Sequence, residues 1–89
     1  MREILPLGSV VTLKDANKRL MIAGRLQKET STGQVFDYSA VLWPEGMVSS
    51  DKVYLFNEDD ILYIWFLGLQ DHEEFTFRLE LERLLDEVS

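Results

Sequence analysis

Cysteine is absent from all 89 residues, so neither a disulfide framework nor a thiolate zinc site is available to this chain. Packing alone must stabilise a sequence near the lower end of what closes one hydrophobic core. The single histidine, His72, has no serine, cysteine or second histidine placed to form a relay with it, and reads as a solvated residue at a helix start. Five glycines stand singly along the chain, which excludes a phosphate-cradling loop. The longest apolar run, Ile61 to Leu69, is too short to span a bilayer as a helix, and no membrane association is expected. The stretch Met1 to Gly8 lacks a long apolar core behind a basic start, so it does not read as a secretory signal. A cytoplasmic location is the expectation. Basic residues are also scarce, nine Lys and Arg against sixteen Asp and Glu, for a net charge of −7. That balance argues against a nucleic-acid partner, where affinity comes from clustered cations, and favours a basic one.

What is present suffices for one domain. The chain is 46% hydrophobic and 11% aromatic, content that disordered segments lack. The densest acid cluster, Glu58, Asp59 and Asp60, lacks the alternate ligand spacing and the bend glycine of a calcium loop, and is explained by acids at a helix start. No metal, cofactor or catalytic constellation emerges, and the chain reads as non-enzymatic.

Val10 to Leu13 is a β-branched run, Lys14 to Lys18 has turn residues, and Arg19 to Gln27 returns as a second strand, giving a hairpin. Gly24 within that strand predicts a bulge or a close backbone approach, hence a sharply bent sheet. Phe36, Tyr38, Ala40 and Leu42 alternate with other positions as a strand with one buried face, ended by the turn Pro44-Glu45-Gly46. Val53 to Phe56 is a brief strand, followed by a helical turn capped by Asn57. Ile61 to Leu67 is apolar on both faces, which predicts a central, buried strand with Trp65 in the core.

Asp71 and Glu74 form a capping-box variant that opens a helix over about 71–88. Phe75, Phe77, Leu79 and Leu81 also alternate as a strand would, and a strand burying all four is the alternative. At 100° per residue, Phe77, Leu81, Leu84, Leu85 and Val88 fall on one face of the helix, predicted to pack on the sheet. Phe75 and Leu79 fall nearly opposite, as a candidate anchor for a partner helix. Trp43 beside Pro44 is a third candidate partner-binding residue, because exposed aromatics at turns are common interface anchors. The fold class expected is α+β: a small, strongly bent antiparallel sheet or barrel of about five strands (about 5–69) with a carboxyl-terminal helix, in one domain over 1–89.

Four segments together resemble a known family: Leu5-Pro6-Leu7-Gly8-Ser9-Val10-Val11; Leu20-Met21-Ile22-Ala23-Gly24-Arg25; Asp37-Tyr38 with Pro44-Glu45-Gly46; and Tyr54-Leu55-Phe56-Asn57 with Asp60-Ile61. In this order, over positions 5 to about 69, they look like the domain of unknown function 4176 family, small proteins of Gram-positive bacteria. The resemblance implies an accessory factor of type VII secretion that binds the helical LXG targeting region of a toxin before export, as a chaperone or adaptor. It implies no catalytic residues. Two other functions fit the residues: an immunity protein that neutralises a neighbouring toxin, and a small-barrel module that binds extended peptides in an aromatic groove around Trp43 and Tyr38.

Overall fold

A computed structural model describes residues 4–88 of the chain. Strands β1 (Val10–Leu13), β2 (Arg19–Lys28), β3 (Val35–Leu42), β4 (Tyr54–Phe56) and β5 (Ile61–Phe66) precede one helix, α1 (His72–Val88). All pairings are antiparallel, and the sheet order is β4-β3-β2-β1-β5. The architecture is therefore α+β, as the sequence predicts. The sheet is not closed into a barrel. Closure would require β4 against β5, and these strands stand at opposite edges.

The first hairpin pairs Val11 with Leu20 and Thr12 with Arg19, across a turn in which Asp15 takes a left-handed conformation that Asp tolerates. In β3 Tyr38 and Ala40 lie in the core and Leu42 packs against it, as the alternation predicts, but Ser39 and Val41 are buried as well, so the strand is covered on both faces from Tyr38 to Val41 and not on one. The register of β2 on β3 shifts between Ile22 and Gly24. A β-carbon at Gly24 would stand 2.5 Å from Ser39 Oγ, so the glycine marks a bulge with a close approach. Its backbone is not left-handed.

One face of the sheet carries the core. Val11, Leu20, Ile22, Tyr38, Ala40 and Phe56 are covered there by Ile4 and Leu5 and by Leu81 of α1. Tyr38 ties the cover down, because its hydroxyl accepts a hydrogen bond from Leu5 N–H at 2.9 Å and donates one to Glu58. Burial, and then the Glu58 carboxylate it donates to, push this hydroxyl far above its ordinary pKa.

The helix begins where its sequence signal lies, with the Asp71 side chain accepting a hydrogen bond from Glu74 N–H at 2.9 Å. Its sheet-facing stripe is Glu74, Arg78, Leu81 and Leu85, and not the stripe projected from the sequence. Phe77 and Leu84 are exposed. The side chain of Val88 lies outside the described residues. A buried cation accounts for the difference. Arg25 enters the core side of β2 beside Tyr38, with its side chain only 3% exposed, and needs a carboxylate. Glu74 meets it through both oxygens, at 2.6 and 2.8 Å, and also accepts from Arg78. That contact turns the helix by about 50°, half of one residue's step, relative to the purely apolar choice.

A pH dependence follows. Burial would raise the Glu74 carboxyl, but the guanidinium groups of Arg25 and Arg78 outweigh it and hold the carboxyl below its ordinary value of 4.5. The folded chain therefore protonates Glu74 less readily than the unfolded one. Its contribution is complete above the ordinary value and is lost as pH falls through the depressed one. Glu74→Gln is expected to lower the urea midpoint at about pH 7, with a deficit that shrinks below about pH 4.5. A deficit that stays constant into the acid range would refute this role.

Candidate functional site

Strand β5 leaves the 3-10 turn Glu58–Asp60 and runs back along β1, where it becomes an edge of the sheet. The central, buried position predicted for it is incorrect. Leu62, Tyr63, Ile64, Trp65 and Phe66 are all exposed, Trp65 at 51% and Phe66 at 62%. The core placement of Trp65 is corrected with it. Strand β1 pairs β5 on only one side, and neither face of β5 is fully covered, so a strand with the composition of a core strand lies open to solvent.

Two register shifts shape this edge, between Val10 and Val11 and between Thr12 and Leu13. In a regular strand, consecutive side chains point to opposite faces. With the first shift, Trp65 and Phe66, although consecutive, line one open cavity of about 570 Å³ on the sheet face away from α1. Val10 and Met21, partners across β1 and β2, form its floor.

Trp43 closes the cavity from the other side, positioned by the turn after β3. Its N–H donates to Arg19 C=O at 3.0 Å, Gly46 N–H donates to Leu42 C=O at 2.7 Å, and the Trp43–Pro44 peptide is cis. Trp65 is held from three directions. Its Nε1 donates to Thr12 Oγ1 at 2.9 Å, Tyr63 stands edge-on to its ring, and the Arg19 guanidinium lies 3.9 Å from its ring centroid. These contacts fix the ring while leaving half of its surface to solvent. The arrangement suits recognition of apolar groups, because rigid aromatics lose little conformational entropy when covered.

Of the residues predicted from sequence to contact a partner, Trp43 lies in this cavity. Phe75 and Leu79 are exposed on the outer side of α1, Leu79 at 66%. The two sets lie on opposite sides of the sheet and do not form one site. A groove combining Trp43 with Tyr38 does not exist, since Tyr38 is buried on the other face. Among Glu58, Asp59 and Asp60, Glu58 accepts from Tyr38, and Asp60 accepts from Asn57 N–H at 2.9 Å. Among the described residues, no group of three His, Cys, Asp or Glu is placed to hold a metal ion. No helix of the described residues is long and apolar enough to cross a membrane.

Sequence reasoning missed Arg19, Met21 and Phe66. One signal pointed to Phe66: Ile61 to Gln70 is ten residues without a charge, in a chain that is 28% charged.

No curated protein and no solved structure matches the chain. A family model described as domain of unknown function (DUF4176) matches residues 4–77, which takes in all five strands, the aromatic cavity and the first turn of α1. The chain belongs to that family.

Proposed function

We propose that this protein is a non-enzymatic, protein-binding accessory factor that holds the helical LXG targeting region of a type VII secretion toxin before export, as a chaperone or adaptor. The observation that carries the protein-binding part is the exposed edge strand β5. Long apolar edge strands invite unwanted pairing, and natural proteins blunt them with charge, proline or a covering element. Here Ile61–Phe66 carries none of these. Exposed apolar surface of this extent marks an interaction site. The LXG region as occupant comes from the family resemblance, and a helical hairpin is a suitable shape, since its apolar stripe would seat on the aromatic cavity.

Phe75 and Leu79 favour a second contact surface on α1, facing away from the first. One partner helix could not reach both. A hairpin that wraps the edge of the domain, or a further accessory protein, would use it.

Co-purification with two separate toxin fragments, the LXG region and the toxic carboxyl-terminal domain, tests this reading. Capture of the LXG fragment is expected, with loss of at least tenfold in affinity for the double variant Trp43→Ser, Phe66→Ser, since aromatic anchors dominate such interfaces. Both side chains are exposed, so the variant should unfold at nearly the parent temperature. Capture of the toxic domain alone would mark an immunity protein instead. Full LXG capture by the double variant, with loss on Phe75→Asp, Leu79→Asp, would move the site to α1.

A further inference from the structure

The charge at the aromatic cavity is opposite in sign to that of the chain. Arg19 is the one charged residue lining it. The other arginines of the described residues are paired with carboxylates, Arg25 and Arg78 with Glu74, and Arg83 with Glu80 and Glu87. Among the described residues Arg19 has no carboxylate partner, and its guanidinium lies over the Trp65 ring. Stacking of this kind occupies the flat side of a guanidinium. The side-chain N–H donors of Arg19 make no hydrogen bond to another described residue, and the guanidinium fork matches a carboxylate.

We infer that the cavity takes an apolar side chain of a partner polypeptide together with a neighbouring carboxylate, the apolar group between Trp43, Trp65 and Phe66 and the carboxylate on the edge of Arg19. This rests on the protein-binding reading above and adds the chemistry of the partner segment. A carboxylate at that point would complete a charge-assisted hydrogen bond without displacing Trp65. It also reverses, at this one place, the expectation of a basic partner drawn from net charge. A second copy of the chain could offer Leu79 beside Glu80. That contact would be heterologous, joining two different surfaces into a ring or an open string of copies, and it needs no partner beyond the chain itself. The free cation facing the cavity of a chain with net charge −7 points instead to a separate polypeptide that brings its own carboxylate.

Both tryptophans of the chain line the cavity, so their emission reads its occupancy. The probes are three capped helical peptides of about 20 residues. They share one leucine stripe and differ only in whether Glu, Gln or Lys flanks it. The Glu peptide is expected to bind roughly threefold to tenfold more tightly than the Gln peptide, and the Lys peptide most weakly. The preference for Glu should shrink with added salt. It should vanish in Arg19→Met, which retains the stem, and parent-like circular dichroism is expected because Arg19 is exposed.

Equal binding of the Glu and Gln peptides, a preference that survives Arg19→Met, or no binding by any of the three would overturn the inference. So would an emission change produced by raising protein concentration alone, which would seat a second copy on the cavity. The two readings separate cleanly. If the peptides show no preference while LXG capture still depends on Trp43 and Phe66, the binding surface stands and the carboxylate does not.

Discussion

Gly68→Ala is expected to leave little folded protein. The chain leaving β5 crosses the amino-terminal segment at this residue, which is buried, and its N–H donates to Ser9 Oγ at 3.0 Å. A β-carbon there would stand 1.8 Å from Leu7 O, 2.8 Å from Leu7 C and 3.1 Å from Ser9 N. All three are backbone atoms, so no rotamer change relieves the overlap. The segment is pinned in turn, because Gly8 N–H donates to Ile22 C=O at 2.9 Å and Ile22 N–H donates to Ser9 C=O at 2.8 Å. Separating the strands would break these bonds and uncover Leu5. A cost above about 3 kcal/mol follows, which is a large part of the total stability expected for so small a domain. Urea unfolding followed by circular dichroism measures it. Gly46→Ala is the comparison: its backbone is left-handed but a β-carbon meets nothing within 4 Å, and about 1 kcal/mol is expected. Similar midpoints for the two variants would remove the close crossing from the account of stability.

Leu81→Asp should be nearly as damaging, and Leu79→Asp should be almost silent. Leu81 is the one buried residue among the described helix side chains, and it lies in the core cluster with Val11, Ile22 and Tyr38. A carboxylate there has no cation free to meet it, since Arg25 and Arg78 are engaged with Glu74. An unpaired buried charge, added to the lost apolar contact, costs about 3 to 5 kcal/mol. Two residues earlier the side chain is solvated, and the change should stay within about 0.5 kcal/mol. Thermal unfolding of both variants decides between this helix orientation and a strand burying Phe75, Phe77, Leu79 and Leu81 together. Equal loss in the two would contradict the helix.

The parts of the fold legible in the sequence were those governed by short-range rules. Turn residues between apolar runs located β1 and β2, alternation located β3 and the face it turns to the core though not the cover on its other face, and Asp71 located the start of α1. Each depends on residues within a few positions of one another. The misplacement of β5 has a different origin. Core and interface use the same apolar residues, so a strand apolar on both faces looks buried whichever of the two awaits it. Which strand pairs with it, and on how many sides, is decided by the whole sheet. The helix orientation failed for a related reason: apolar periodicity carries no information about Arg25, more than forty residues away in sequence, which draws Glu74 inward. Within the candidate site, Trp43 was legible from its place at a turn. Arg19 and Phe66 became meaningful only once the register shift set Trp65 and Phe66 beside Val10.

The sheet order also sets a sequence of folding events. Strands β1 to β4 form a meander in which each strand meets the one before it, whereas β5 must find β1 across almost all the intervening chain, as in the pairing of Leu13 with Ile61. Local hairpins close quickly and distant pairings slowly, because the loop entropy is lost before any contact repays it. During synthesis the meander can therefore assemble while β5 is still emerging, and the aromatic cavity exists only after the last strand has joined. The same order runs in reverse in the folded protein. With a partner strand on one side only, the edge strands β4 and β5 should exchange their amides with solvent sooner, and β2 and β3, paired over the longest stretch, the latest. An occupant seated across Trp43 and Trp65 would join the slowest-forming edge to the rest of the sheet, so slowed exchange in β5 would report its arrival at a distance from the atoms it touches.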